Sequence, residues 1–182
     1  MTEVPISTFP IPDLDDVPDD LRTMMLGIQD KTGFIPNVFL ALAHRPDELR
    51  AFMAYHEALM EGESGLTKAE REMIVVATSG SNSCMYCVIA HGAILRIRAK
   101  DPLIADQLAV DPLKADLDDR QLAMIAFAVK LARTPEDVQA ADHLGEGAAT
   151  HVRVAVLENF VLRGLLRAPC VPRLHLLLLA SG

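Results

Sequence analysis

The sequence predicts an all-α protein. Helix-forming residues dominate the 182-residue chain, and it contains neither alternating apolar runs nor the Asn-Gly and Asp-Gly pairs that are typical of β-hairpins. With 51% hydrophobic residues, a chain of this length can bury one substantial core. We therefore expect a single helical domain.

Composition excludes several classes of partner. The net charge of -8 provides no broad cationic surface, so we expect neither nucleic acid nor an anionic membrane as a partner. The first sixteen residues lack the basic and apolar regions of a secretory signal, and the late apolar run from Leu174 to Ala180 is far shorter than the roughly 20 residues of a membrane span. These features predict a cytoplasmic protein. In that reducing compartment, a close cysteine pair is more often a catalytic or metal site than a structural disulfide.

Proline and charge divide the chain into three predicted segments. Residues 1–17, rich in proline and acidic side chains, predict an extended arm; residues 18–168 predict the helical domain; residues 169–182, around Cys170, form an atypical tail. Proline positions, caps and apolar periodicity predict the helices of the domain. These run from about Pro18 to Asp30, Asn37 to His44, Asp47 to Glu61, Lys68 to Ser79, Cys84 to Arg98 and Asp118 to Ala132, with further starts at Asp101-Pro102 and Thr134-Pro135.

Two of these helices carry the residues with the clearest chemistry. Thr67 and Glu70 form a capping-box pattern that starts the fourth helix, and the polar residues 80–83 end it. Cys84 and Cys87 therefore open the next helix, where unpaired backbone amides stabilise a thiolate. The third helix should turn Phe52, Tyr55 and Met60 towards the core.

The cysteine pair has a histidine at helical spacing. Cys84 and Cys87 are three residues apart and His91 follows four residues later, so all three share one face of a helix. A carboxylate from the preceding helix, Glu72 or Glu70, can complete a proton-transfer network, and we favour Glu72. In a two-cysteine peroxidase, one thiolate attacks a hydroperoxide to form a sulfenic acid, which a neighbouring thiol converts to a disulfide.

Three stretches resemble a known family. They are Phe34-Ile35-Pro36-Asn37, Ala43-His44-Arg45-Pro46 and Cys87-Val88-Ile89-Ala90-His91-Gly92. Together they resemble the peroxidase-related branch of the alkylhydroperoxidase AhpD and carboxymuconolactone decarboxylase-like superfamily. The family has a glutamate twelve residues before the first cysteine, the CxxC pair, and a histidine four residues after the second. Here these positions are Glu72, Cys84, Cys87 and His91.

The resemblance implies a role for each of these residues. Cys87 would attack the peroxide, Cys84 would resolve the sulfenic acid, and Glu72 with His91 would relay protons. It also implies an AhpD-like helical bundle that assembles as a homotrimer or homohexamer. The chain has no haem or flavin motif, so we expect no bound cofactor, and an external dithiol or dithiol protein would supply the electrons.

The residue between the cysteines departs from the founding alkylhydroperoxidases. They have a histidine where this chain has Tyr86, although tyrosine is usual in the peroxidase-related branch that the chain resembles. With an ordinary pKa of about 10, a tyrosine donates hydrogen bonds at neutral pH but does not shuttle protons. We therefore treat Tyr86, like Glu70, as a secondary site residue.

The sequence leaves three other functions open. Two cysteines, His91 and Glu72 could bind zinc, although structural zinc sites more often have a second cysteine pair. A lactone decarboxylase or isomerase is a further alternative, because the superfamily that the chain resembles contains one. A non-enzymatic redox-sensing module would also need a disulfide that forms and breaks.

Overall fold

The structure is a computed structural model that describes Ser7 and residues 10–142, and this part of the chain is helical. The all-α prediction is confirmed for these residues, whereas the tail with Cys170 and residues 1–6, 8 and 9 of the N-terminal arm lie outside them. Seven α-helices follow one another: α1 Asp19–Thr32, α2 Asn37–Leu42, α3 Pro46–Glu61, α4 Lys68–Ser81, α5 Met85–Ala99, α6 Ile104–Val110 and α7 Asp119–Arg133. Among the residues described, no helix is both long and apolar enough to cross a membrane.

The described residues form two compact units, which meet in sequence between Ala58 and Leu59. The first holds α1, α2 and most of α3. Its most prominent ion pair joins Arg50 to both carboxylate oxygens of Asp20, each at 2.8 Å. The hydrogen bond from Arg50 lowers the pKa of Asp20 to about 2.

Two sequence predictions fail in this first unit. The end of the predicted extended arm instead contains a short 3-10 helix, Leu14–Asp16, followed by the buried Val17. Short 3-10 turns are common just before an α-helix, where acidic side chains lie near the unpaired backbone amides of the first helical turn. Tyr55 was predicted to face the core but is 36% exposed. A tyrosine side chain tolerates partial exposure because its ring is apolar and its hydroxyl is polar.

In the second unit, α4 is the central helix and packs against α5, α6 and α7. All ten residues from Glu70 to Ser79 are buried, including charged ones. Arg71 is one of these, and it donates to the Leu59 carbonyl at 3.0 Å and to Ser64 Oγ at 3.0 Å. The loop before α4 is thereby tied to the helix, which fixes the position of the residues that follow Arg71.

Most predicted helix bounds lie within two residues of those observed, with two exceptions. Asp101-Pro102 does not start a helix: Asp101 Oδ1 instead accepts the Leu103 amide at 2.8 Å, and α6 begins at Ile104. This local side-chain bond competes with the helical pattern. Thr134-Pro135 starts only a three-residue 3-10 helix, Pro135–Asp137.

The turn between α4 and α5 is a Schellman motif. The Ser83 amide donates to the Gly80 carbonyl at 3.0 Å, and the Cys84 amide donates to the Ser79 carbonyl at 2.9 Å. Ser83 occupies the left-handed position of this motif, with φ 57°, where glycine is usual. Cys84 thus closes α4 with its amide and is also the N-cap residue of α5.

Glycine at position 83 should stabilise the protein. A non-glycine residue in the left-handed region destabilises the folded state by about 1–2 kcal/mol. Glycine avoids this cost, but its greater freedom in the unfolded chain offsets part of the gain. We expect Ser83→Gly to raise the free energy of unfolding by about 0.5–1 kcal/mol, measured by urea denaturation. Ser81→Gly is the matched control, since Ser81 lies in the right-handed last turn of α4. A glycine there should destabilise by about 0.5 kcal/mol or more, and a destabilised Ser83→Gly would contradict the prediction.

Candidate active site

Cys84 and Cys87 lie at the start of α5, as the sequence predicted. Cys84 is the N-cap residue and Cys87 is in the first turn, and their sulfurs are 2.6 Å apart. Both are thiols and both are buried, Cys84 at 8% exposure and Cys87 at 0%. Because amides in the first turn of a helix have no carbonyl partners within it, they carry partial positive charge towards these sulfurs. The position favours a thiolate.

The structure brings Glu72 and His91 together. His91 Nδ1 lies 2.8 Å from Glu72 Oε2, and the side chains are 13% and 2% exposed. An ionised carboxylate can only accept hydrogen bonds, so Nδ1 is the donor in this pair. Nε2 of His91 is then the nitrogen that carries a lone pair, and it can accept a proton.

A third charged residue contacts this pair, and the sequence analysis did not find it. Arg98 Nη1 lies 3.2 Å from Glu72 Oε1, and Arg98 Nη2 donates to Glu61 Oε1 at 2.9 Å. The signal was present in the spacing, because Arg98 follows His91 by seven residues and so shares its face of α5. The pairing itself depends on how α4 packs against α5.

Glu70, the other candidate carboxylate, is bound elsewhere. Its Oε2 accepts the Thr67 amide at 2.8 Å, while the Glu70 amide donates to Thr67 Oγ1 at 3.2 Å, which confirms the predicted capping box. Its other oxygen binds Arg120 of α7. Burial alone would raise the pKa of Glu70, but the Thr67 amide and Arg120 hold this pKa below its ordinary value. Glu70 therefore anchors α4 to α7 and does not contact His91.

The charge of Glu70 should stabilise the fold in a pH-dependent way. Because the folded-state pKa is lowered, the contribution is present above the ordinary value of 4.5 and is lost as the pH falls through the folded-state value. Glutamine preserves the cap but not the charge. We expect Glu70→Gln to cost about 1 kcal/mol at pH 7, since Arg120 is half exposed, and progressively less as the pH falls through the folded-state pKa of Glu70.

Denaturation of the wild type and of Glu70→Gln across pH 3–7 measures this difference. Glu57→Gln, at an exposed position of α3, is the control and should leave stability within about 0.5 kcal/mol. A difference at Glu70 that does not change with pH would refute the assignment.

Comparison with known proteins agrees with this geometry. Residues 46–110, which contain the Glu72, Cys84, Cys87 and His91 set, match the carboxymuconolactone decarboxylase family model. A solved structure from Ralstonia eutropha JMP134, described as an alkylhydroperoxidase AhpD core and an uncharacterised peroxidase-related protein, is 52% identical. The match covers 90% of this chain and 92% of that one, with a TM-score of 0.81. The chain belongs to the AhpD-like carboxymuconolactone decarboxylase family.

A second AhpD-like structure supports the same fold at lower identity. The uncharacterised peroxidase-related protein from Silicibacter sp. TM1040 is 32% identical, and the match covers 92% of this chain and 95% of that chain with a TM-score of 0.82. No curated protein matches the chain. The predicted family is thereby confirmed.

Tyr86 is buried in this AhpD-like protein. It is 8% exposed and lies in the first turn of α5, between the two cysteines, whereas its neighbour Met85 is 59% exposed. A buried tyrosine normally directs its hydroxyl to a hydrogen-bond partner. The side chain therefore belongs to the protein interior and not to the solvent-facing surface.

The described residues do not arrange a metal site. Within residues 10–142, no group of three or more histidine, cysteine, aspartate or glutamate side chains is placed to hold a metal ion. His91 instead binds Glu72 through Nδ1, and Glu72 is also occupied by Arg98. The zinc alternative therefore gains no support from this geometry.

Proposed function

We propose that this AhpD-like protein reduces hydroperoxides through the Cys84 and Cys87 pair, with Glu72 and His91 as the proton relay. The observation that carries the proposal is the buried contact of His91 with Glu72, one helical turn beyond a thiol pair at a helix N-terminus. The two related structures are described as peroxidase-related proteins, which agrees with it.

The proposed reaction begins at Cys87. His91 Nε2 accepts the Cys87 proton, and the thiolate attacks the terminal oxygen of the hydroperoxide. The O–O bond breaks, Cys87 becomes a sulfenic acid, and the leaving alkoxide takes up the proton to become an alcohol. Cys87 is thereby oxidised and the peroxide reduced.

Cys84 completes the oxidative half of the reaction. Its thiol attacks the Cys87 sulfenic acid, which forms the disulfide and releases water. The sulfurs are already adjacent, at 2.6 Å, so no large rearrangement is needed. Overall, two thiols and one hydroperoxide give one disulfide, one alcohol and one water.

An external dithiol returns the pair to the thiol state in this proposal. Cys84 is the more exposed of the two cysteines, so we assign it as the sulfur that the reductant attacks. A reducing compartment such as the cytoplasm would provide such dithiols. We further propose a homotrimer or homohexamer as the working assembly, which sedimentation velocity can test.

Turnover tests the proposed function. Purified protein mixed with an organic hydroperoxide and dithiothreitol should consume many equivalents of peroxide, and one equivalent without the dithiol should remove two thiols per chain. Oxidation that stops after one equivalent despite the dithiol would favour a redox-sensing module. Absence of any thiol loss would refute the peroxidase and leave the lactone chemistry to be assayed.

A further inference from the structure

Two residues of α5 hold the two oxygens of Glu72. His91 Nδ1 contacts Oε2 at 2.8 Å and Arg98 Nη1 contacts Oε1 at 3.2 Å. His91 and Arg98 are two helical turns apart, so both meet the carboxylate from one face of α5. The Arg98 contact is an ion pair without an aligned hydrogen bond, because the buried Nη1 atom has no hydrogen-bond partner. Charge is therefore what Arg98 contributes to Glu72.

Alternating charges connect this buried carboxylate to the surface. Arg98 Nη2 binds Glu61, and the other oxygen of Glu61 binds Lys68. The hydrogen bond from Lys68, and to a smaller extent Arg98, holds the pKa of Glu61 below its ordinary value. The negative charges of the two glutamates balance the positive charges of Arg98 and Lys68. His91 therefore need not be protonated to neutralise Glu72.

The neighbouring helices use their charges in other pairs. On α6, Asp106 binds Arg96 at 2.8 Å, and on α7, Arg120 binds Glu70. Among the described residues, the cation that the structure places within ion-pair distance of Glu72, apart from the titratable His91, is therefore Arg98.

We propose that Arg98 is a positioning residue that gives the Glu72 carboxylate its counter-ion and thereby keeps His91 able to take the proton of a cysteine. Without this cation, the Glu72 carboxylate, which is 2% exposed, would lose the charge partner of its Oε1 atom. The carboxylate would then be held less firmly against His91 Nδ1, the contact that leaves Nε2 as the proton acceptor. The inference rests on the proposed function, because it assigns the relay a counter-ion.

The pH dependence of thiol reactivity tests this role. Arg98 follows Cys87 by eleven residues on α5, about 16 Å along the helix axis, so it acts on the thiol through Glu72 and His91. A relay without its cation takes the thiol proton less readily, so reactivity should move to higher pH. For Arg98→Gln, we expect the profile of iodoacetamide alkylation, and that of hydroperoxide turnover, to shift up by about one pH unit. Below the thiol pKa both rates would fall about tenfold. Arg98→Lys retains the charge and should restore most of the wild-type profile.

Control variants separate this role from a structural one. Arg96→Gln removes an arginine of the same helix that pairs with Asp106, and its profile should match the wild type. Arg98→Met is a second neutral variant with an aliphatic stem, in case glutamine impairs folding. A structural role alone would lower the melting temperature without moving either profile.

Two results would overturn the inference: neutral variants with a wild-type alkylation profile, or an Arg98→Lys profile shifted as far as that of Arg98→Gln. Alkylation requires no turnover, so it decides the role of Arg98 even if the wild type consumes no hydroperoxide. A wild type that consumes no hydroperoxide would refute the proposed peroxidase activity, but it would not refute the effect of the Arg98 charge on the thiols.

Discussion

Cys87→Ser should reduce hydroperoxide turnover by roughly 10³-fold or more, to the uncatalysed rate, with folding retained. A serine hydroxyl stays protonated near neutral pH and cannot replace a thiolate as the nucleophile that attacks a peroxide oxygen. Cys87 is fully buried in the first turn of α5, and serine is nearly isosteric with it, so the helix should form as before. Peroxide consumption and the far-UV circular dichroism spectrum check the two parts of this prediction.

Cys84→Ser is the matched control for Cys87→Ser, because it removes the other sulfur of the same pair. It should still lose one thiol to one equivalent of peroxide and trap a sulfenic acid at Cys87, detectable by dimedone labelling and mass spectrometry. If Cys84→Ser labels nowhere and Cys87→Ser labels at Cys84, the assignment of attacking and resolving thiols is reversed. If Cys87→Ser retains wild-type turnover, the proposed chemistry is wrong.

Glu72→Gln should have the second-largest effect, on activity and stability together. An amide provides no anion to hold His91 with Nδ1 as donor, so proton transfer should slow by about 10²-fold or more. The change also leaves Arg98 without its buried counter-ion. Such a loss costs about 3–5 kcal/mol for fully buried pairs, and we expect about 2 kcal/mol here because the Arg98 side chain is 26% exposed.

Glu70→Gln is the matched control for Glu72→Gln on the same helix. It removes a buried carboxylate that binds Thr67 and Arg120, outside the relay. Its turnover per folded molecule should equal that of the wild type, measured as kcat at a temperature where both are folded. Equal losses of kcat in the two variants would show that burial of charge in α4, and not the relay, determines activity.

Local patterns predicted the helices and the cysteine site well. Thr67 and Glu70 mark the start of α4 through bonds between residues three apart, and the CxxC spacing places Cys84 and Cys87 at the start of α5. The spacing of Cys87 and His91 likewise lies within one helix. Such features depend on neighbours in sequence, which the sequence displays directly.

Contacts between helices could not be predicted in the same way. The choice between Glu70 and Glu72 depends on which face of α4 meets α5, and the partners Arg120 and Arg98 are 50 and 26 residues away from them in the chain. The start of α6 was predicted too early, at Asp101, because the Asp101 side-chain oxygen accepts a hydrogen bond from the Leu103 amide before the helix begins. These outcomes follow from packing, which periodicity alone does not specify.

The burial of residues 70–79 of α4 also bears on how the site moves. Glu70, Arg71 and Glu72 lie in consecutive positions, and each is tied to a different partner: α7, the loop before α4, and α5. Rotation or sliding of the helix would break all three attachments together and leave buried charged groups without their partners. The carboxylate of Glu72 is consequently held in place by α4, and we expect motions during a reaction cycle to come from α5, which carries the thiols and His91.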